Sequence, residues 1–284
     1  MNFSNLFWVF LIVSTLLPWV QKRRTEFNRY KAINAFEQQR GSRVILLIHR
    51  QESVSLFGIP LSRYINIEDS EQVLRAIRLT PPDVPIDMIL HTPGGLVLAT
   101  EQIARALLRH QAKVTVFVPH YAMSGGTMLA MAADEIVMDE NAVLGPVDPQ
   151  LGNMAAASVL KVVADKPIEN IEDQTLVMAD LAQKAMKQVE GFVRDLLGDK
   201  IPTPKIDPDK VDRIVQRLTS GEVTHDYPVS VEEATALGLP VMAGLPRVIY
   251  SLMELYPQPQ TGRPSVQYIP LPYQKRELPA GKPR

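Results

Sequence analysis

The residues best suited to chemistry lie in two glycine-rich breaks, each between a predicted strand and a predicted helix. The first break is His91–Gly95 (HTPGG), and the second is Tyr121–Thr127 (YAMSGGT), which contains Ser124. In an open parallel sheet such breaks lie at the carboxyl edge of the strands, where ligands bind. Glycines there permit positive φ angles and let a substrate backbone approach closely. Taken singly, a Pro-Gly-Gly turn or a serine before a helix is more often only a turn or a helix cap.

Together, the two breaks predict a site for acyl transfer. They are about 30 residues apart in one strand–helix–strand unit, so they can converge on one point. Ser124 then supplies the nucleophile, and the backbone N–H groups of Gly95 and Gly125 supply an oxyanion hole. The dipole of the helix that follows Ser124 favours developing negative charge at its N-terminus. Gly94 is expected to lie against the bound substrate.

These elements predict an α/β fold with a mainly parallel sheet, because short apolar runs alternate with amphipathic segments. Predicted strands cover residues 42–49, 86–91, 113–119 and 135–138, and predicted helices cover 69–79, 96–110 and 124–133. Further helices are predicted over 155–164, 175–197, 209–218 and 231–237, with a loop over 198–208. Each glycine-rich break therefore follows the carboxyl end of a strand.

Composition excludes several classes of function. The net charge is -1 with both signs interspersed, so no basic face for nucleic acid is expected. The chain has no cysteine, which excludes disulfides, thiolate metal sites and cysteine nucleophiles. Its 5 histidines lack the HExxH spacing of a zinc site, and no phosphate-binding loop is present. We therefore expect no metal and no cofactor.

The N-terminus predicts a membrane anchor at residues 1–21. Phe3–Val20 carries no charge and is followed at once by Gln21–Arg24 (QKRR). This run is near the lower length limit for a membrane-spanning helix. The positive-inside rule then places the rest of the chain in the cytoplasm. The alternative is an N-terminal helix buried against the domain.

The remaining chain is divided by composition into three parts. Residues 22–41 are polar and predict a helical stalk, and residues 42–256 form the predicted catalytic domain. Residues 257–284 carry proline at frequent intervals and predict an extended tail.

The two breaks and their flanking residues resemble a known family. HTPGGLVLATEQIARAL and AMSGGTMLAMAADEIVMDENAVLGPVDPQ are similar to ClpP-class peptidases, including the signal-peptide-peptidase-A type. The nearest likeness is to the single-domain, membrane-anchored serine dehydrogenase proteinase family, from about Ser42 to Tyr256. The resemblance implies a ClpP/crotonase-type spiral of ββα units, Ser124 as nucleophile, and oxyanion donors at Gly95 and Gly125. It also implies a homo-oligomer.

The general base is predicted to be a lysine. ClpP proteases use a histidine, but the stretch that corresponds to it, Leu144–Leu151, contains none, and His120 lies only four residues before Ser124. The signal-peptide-peptidase branch uses a Ser–Lys dyad, and Lys166 occupies a comparable place ahead of the long helix. The preceding Val-Val-Ala favours desolvation of its amine, which a lysine base requires. Lys184 and Lys161 are the next candidates.

Asp148 and the pair His225–Asp226 are further polar candidates for the site. The loop that contains Asp148 (GPVDPQ) resembles the family segment that lines the active-site cleft, so Asp148 is expected to orient the base or contact substrate. An aspartate between prolines is equally well explained as a loop-former. The pair His225–Asp226 is interpreted as structural or as part of an interface.

These inferences predict a membrane-anchored serine peptidase that acts on peptides or membrane proteins. One alternative is a crotonase-type enzyme acting on acyl-CoA, which uses the same kind of oxyanion hole without a nucleophile. The other is a non-catalytic scaffold that binds extended peptides at the membrane.

Overall fold

The computed structural model describes residues 3–50, 54–56, 59–61, 64–198, 208–257 and 266, and omits the side chains of 3–13, 18, 54–56, 59–61, 208 and 209. The strands are β1 Arg43–Ile48, β2 Val54–Leu56, β3 Ile59–Leu61, β4 Ile86–His91, β5 Val114–Val118, β6 Tyr121–Ala122, β7 Glu135–Met138, β8 Val143–Leu144, β9 Gln150–Leu151, β10 Met154–Ala155 and β11 Val241–Ala243. The helices are α1 Phe3–Arg40, α2 Ile67–Arg78, α3 Val97–Arg109, α4 Gly125–Met131, α5 Ala156–Asp165, α6 Asp173–Gly198, α7 Pro208–Thr219, α8 Val231–Leu237 and α9 Arg247–Glu254, with a 3-10 turn at Ile168–Asn170.

A five-stranded parallel sheet organises the domain, in the order β1-β4-β5-β7-β11. The two strands β4 and β5 are buried along their whole length, as short apolar runs covered on both faces require. The α/β class and the parallel sheet predicted from the sequence are confirmed. The spiral of ββα units implied by the resemblance is a finer description and stays a prediction.

Helices cover both faces of this sheet. On one face, alternate strand residues such as Met88 and Val116 pack in a core that also contains residues of α2, α3, α4, α6 and α7. On the other face, Ile89 and Phe117 pack against α1 and α9. The alternation follows from the two-residue period of a strand, which sends neighbouring side chains to opposite faces.

A second row of backbone pairs lies beyond the carboxyl ends of the sheet strands. Thr92 bridges Ala122 in parallel, and Ile65 bridges Gly95 in the same way. The short strands β6 and β8 continue this row. These pairs fix the two glycine-rich breaks relative to each other, which the main sheet alone does not do.

The long helix α1 runs without a break through the predicted anchor and the predicted stalk. It ends at Arg40, and the φ of 62° at the next residue, Gly41, is a left-handed conformation that suits glycine. Within the described part of the chain, no helix has the length and apolar character needed to cross a membrane. The side chains of residues 3–13, which form most of the predicted anchor, lie outside the description. The anchor therefore stays a prediction.

The C-terminal part contains elements that the sequence analysis does not predict. Helix α9 and strand β11 were not predicted, whereas the predicted helices over 155–164, 175–197, 209–218 and 231–237 are all present within two residues of their bounds. Strand β11 is three residues long and mostly exposed, and it forms by pairing with β7. Such a strand carries no period of its own to read. The predicted tail lies outside the described residues except at 257 and 266, as does most of the predicted loop over 198–208.

A buried carboxylate joins the end of α1 to the centre of the sheet. Asp87 on β4 is 1% exposed, and its Oδ2 lies 2.7 Å from Arg40 Nε. Arg40 Nη2 lies 3.1 Å from the other oxygen, and the Ser42 hydroxyl donates to Oδ2 at 2.7 Å. The pair is bidentate, the geometry in which arginine and carboxylate interact most strongly. This interaction anchors the long helix on the domain.

We expect Arg40→Ala to lower the free energy of unfolding by about 1–3 kcal/mol, because it leaves Asp87 buried with Ser42 as its one side-chain partner among the described residues. Urea denaturation followed by circular dichroism measures the effect. Arg109→Ala is the control, since Arg109 is exposed at the end of α3. Equal stability of the two variants would show that the ion pair contributes nothing.

Candidate active site

The two glycine-rich breaks are in direct contact. A Cβ built on Gly94 would lie 2.8 Å from Ser124 Cβ and 2.9 Å from the carbonyl oxygen of Met123. A Cβ on Gly125 would lie 2.5 Å from Thr100 Oγ1 and 3.5 Å from Gly95 N. Only glycine fits at this distance without displacement of backbone. The convergence predicted from sequence spacing is therefore present, with backbone packed on backbone beside Ser124.

Ser124 adopts a strained backbone conformation. Its φ is 49° and its ψ is -116°, and among the described residues it is the only non-glycine with a positive φ. The turn is closed by the Gly126 N–H, which donates to the Met123 carbonyl at 2.7 Å. Such a conformation costs on the order of 1–3 kcal/mol and persists only where its surroundings impose it. Strain of this kind concentrates at functional sites, so it singles out Ser124.

A cavity of about 520 Å³ opens in front of Ser124. It brings together five of the six residues predicted to form the site, namely Ser124, Gly94, Gly95, Gly125 and Asp148. The other lining residues are Tyr64, Pro93, Val97, Thr100, Met128, Val147, Pro149, Gln150, Gly152, Val189 and His225. Most of this lining is apolar, with a few polar groups, which is typical of a ligand pocket.

The cavity also holds a histidine–carboxylate pair. Asp148 is 2% exposed, and its Oδ1 lies 2.7 Å from His225 Nδ1. The Gln150 side-chain amide donates to the other oxygen, Oδ2, at 2.7 Å. The hydrogen bond and charge of Asp148 raise the pKa of His225 above its usual value, against the opposing effect of burial. Both carboxylate oxygens are therefore occupied, and one of them orients the imidazole ring.

Backbone pairs hold this histidine–carboxylate pair in place. Leu144, four residues before Asp148, exchanges two backbone hydrogen bonds with Val229, at 3.0 and 2.9 Å. The Val147 N–H donates to the carbonyl of Leu218 at the end of α7 at 2.8 Å. The loops that carry Asp148 and His225 are thus fastened to each other on both sides of the contact.

The comparisons with known proteins point the same way as this geometry. A family model described as ClpP-like SDH-type serine proteinase matches residues 1–281. The chain belongs to this family.

Two relatives from Methanocaldococcus jannaschii are similar over nearly the whole chain. The uncharacterized protein MJ1495 is 52% identical over 271 residues, which cover 95% of this chain and 91% of that protein. The uncharacterized protein MJ0137 is 51% identical over 269 residues, with 95% and 92% covered. A match to the Na(+)/H(+) antiporter NhaA of Brucella abortus covers 26% of this chain and 11% of the antiporter, too little to support an inference about function.

Lys166 is the predicted site residue that the structure does not place in the cavity. It follows the C-terminal end of α5, is exposed, and is absent from the described lining. Lys161 and Lys184 are also exposed, and Lys184 forms an ion pair with Asp180 one helical turn away. No lysine is therefore within the described cavity of a single chain.

His120, the other histidine considered from the sequence, also lies outside the lining. Its ring packs edge-on against His91, with the ring centroids 5.5 Å apart. The pKa of His91 is lowered to about 3, mainly by burial. His91 is therefore neutral at any physiological pH. These two histidines belong to the packing behind the breaks.

His225, which the sequence analysis interprets as structural or as part of an interface, lines the cavity. It contacts Asp148 across 77 positions of sequence. Thr100, on α3, was not singled out at all; it lines the cavity, and its buried hydroxyl has no hydrogen-bond partner among the described residues. No local pattern reveals either residue, because each is defined by a contact made only in the folded chain.

We expect Gly94→Ala to lower the free energy of unfolding by about 2–4 kcal/mol and to disturb Ser124, because the new methyl group collides with the serine Cβ and also requires an unfavourable φ. Gly244→Ala is the matched control, since Gly244 has the same φ of 106° but open space around it. The control is expected to lose only about 1–2 kcal/mol from strain. Urea unfolding of both variants checks this, and equal losses would show that the contact with Ser124 is unimportant.

Proposed function

We propose that this protein is a serine peptidase in which Ser124 attacks the carbonyl carbon of a peptide bond. The proposal rests on one observation: Ser124, in its strained turn, shares a cavity with the glycine loop that faces it. Family membership supports the reaction class, and the geometry supports the residue. Covalent catalysis by serine needs a nucleophile, an oxyanion hole and a base in one site.

The oxyanion hole is assigned to the backbone N–H groups of Gly95 and Gly125. As the Ser124 oxygen bonds to the substrate carbon, the carbonyl π electrons move to oxygen and need donors positioned in advance. Gly95 N lies 3.5 Å from the Cβ position of Gly125, so the two peptide groups are neighbours at the nucleophile. The Thr100 hydroxyl, which has no hydrogen-bond partner in the described part of the chain, lies beside them.

The substrate is proposed to be a peptide segment with apolar side chains. Val97, Met128, Val147 and Val189 line the cavity and suit an apolar side chain next to the scissile bond. Gly94 lets the substrate backbone lie close to Ser124. Asp148 is engaged by His225 and Gln150, so its role is to orient those groups.

A Ser–Lys dyad with Lys166 is the base arrangement predicted from the sequence. Within one chain Lys166 is outside the cavity, so this dyad requires movement of the α5–α6 connection or a lysine supplied by another copy. A homo-oligomer, implied by the resemblance, offers the second route. His225 is the alternative base that is already inside the cavity.

We expect wild type to react with a fluorophosphonate probe at Ser124 and to cleave apolar peptides, and Ser124→Ala to lose both activities. Ser230→Ala is the control, since Ser230 caps α8 away from the cavity and should label normally. Mass spectrometry of the labelled peptide identifies the modified residue. Labelling elsewhere, or none in a folded sample, would reject the peptidase and favour an acyl-CoA enzyme or a peptide-binding scaffold.

The peptidase is further proposed to be anchored in a membrane by residues 1–21, with its domain in the cytoplasm. The uncharged run Phe3–Val20 and the following Lys-Arg-Arg support both the anchor and its orientation.

We expect the full chain to remain with the membrane fraction after a carbonate wash, and a chain that begins at Gln21 to be released. A chain in which Leu11 and Val13 are replaced by aspartate should behave like the truncated one, because charge within the run opposes insertion. Release of the full chain by carbonate would contradict the anchor.

A further inference from the structure

We propose that His225, oriented by Asp148, is the general base and acid of the reaction, in place of a lysine. This inference rests on the proposed function and concerns the same cavity. Ser124 and His225 line that cavity together, and the Asp148 carboxylate holds the Nδ1 side of the imidazole ring at 2.7 Å. The three residues form a Ser–His–Asp set whose histidine comes from the segment after α7.

The hydrogen bonds of Asp148 decide which imidazole nitrogen acts as the base. An ionised carboxylate only accepts hydrogen bonds, so the neutral His225 ring carries its proton on Nδ1 and donates it to Asp148. The lone pair is then on Nε2, the nitrogen that a base requires. The Gln150 amide donates to the second oxygen of Asp148 and fixes the plane of the carboxylate.

Burial explains why this arrangement differs from a surface ion pair. Asp148 is 2% exposed, whereas the His225 side chain is 36% exposed and reaches the cavity wall. A buried carboxylate is stable only with partners for its oxygens, and His225 supplies one of them. The pair is thus rigid on the Asp148 side and open on the substrate side.

The proton transfers balance with these groups alone. The Ser124 hydroxyl proton moves to His225 Nε2 as Oγ bonds to the substrate carbon and the carbonyl electrons move to oxygen. The carbonyl then re-forms, the C–N bond breaks, and Nε2 gives its proton to the leaving amine. Water repeats the sequence on the acyl ester: its proton goes to Nε2, its oxygen bonds to carbon, and Ser124 Oγ leaves and takes the proton back.

The electrostatics predict where activity falls on the acid side. His225 acts as a base only when neutral, and the carboxylates that raise its pKa are Asp148 first and then Asp226. Activity should therefore decline as pH falls through the pKa of His225, which is higher than that of an unperturbed histidine. Asp148→Asn removes the main cause, so the decline should move to lower pH while the maximal rate falls.

The decisive experiment compares rates of fluorophosphonate labelling and peptide hydrolysis in full-length wild type, His225→Ala, His225→Gln, Lys166→Ala and Ser124→Ala. We expect the labelling rate and the hydrolysis rate of both His225 variants to fall by about 100- to 10,000-fold, the range in which a general base contributes. The rates of Lys166→Ala should stay within about twofold of wild type, because Lys166 is exposed and outside the described cavity lining. His110→Ala is the matched control, because that half-buried histidine bonds the Val84 carbonyl and is not among the described residues that line the cavity.

Added imidazole separates a base from a merely structural histidine. It should restore His225→Ala at least about tenfold, since the free base occupies the space left in the cavity, and should leave Ser124→Ala inactive. Wild-type rates in His225→Ala and His225→Gln, or a loss confined to Lys166→Ala, would overturn the assignment while the peptidase stands. Slow His225 variants that imidazole does not restore, in folded protein, would also overturn it. Absence of labelling in wild type rejects the peptidase itself.

Discussion

The contact between two stretches of backbone, Gly94–Gly95 and Ser124–Gly125, is the constraint on which the site depends. Each stretch ends a parallel strand, and the sheet brings them to one edge. The sheet alone does not bring the two stretches into van der Waals contact, because a Cβ at Gly94 or at Gly125 would occupy the space between them. Glycine at both stretches removes that obstacle. The strained φ of Ser124 then becomes the conformation that the turn must adopt to meet the facing loop.

Two buried hydroxyls brace these stretches, one on each side. Thr92 accepts a hydrogen bond from the Gly94 N–H at 3.2 Å, and its oxygen lies 2.9 Å from His49 Nδ1. On the other side, the Thr127 hydroxyl accepts from the Gly145 N–H at 2.9 Å and lies 2.8 Å from the Ala122 carbonyl oxygen. A hydroxyl can donate and accept at once, so Thr92 joins the Gly94 N–H to the His49 ring, and Thr127 joins the Gly145 N–H to the Ala122 carbonyl. These links carry the serine turn and the Asp148 loop on one support.

The sequence predicts those parts of the molecule that local pattern determines. Buried parallel strands such as β5 are short, mainly apolar runs, and amphipathic helices such as α6 repeat with a helical period, so the sequence predicts both. The glycine-rich breaks can be predicted from the sequence as well, since Gly94 and Ser124 follow the ends of strands. Strand β11 cannot be predicted in this way, because it forms only by pairing with β7. The contact between Asp148 and His225 cannot be predicted from local pattern either, because it joins loops that are far apart in the chain.

Whether a lysine or a histidine can act as the general base depends on which side chains the structure buries. A lysine becomes a base when apolar surroundings remove its charge, which means that the chain must build a dry pocket around a flexible side chain. Here the buried group is a carboxylate, Asp148, while Lys166 is exposed. A buried carboxylate does the opposite of what a lysine base needs, since it favours a proton on its neighbour, yet it suits an imidazole, which needs orientation more than desolvation. The cavity is therefore organised around a ring held by its Nδ1, and the loop that carries Asp148 has a function that its prolines alone do not explain.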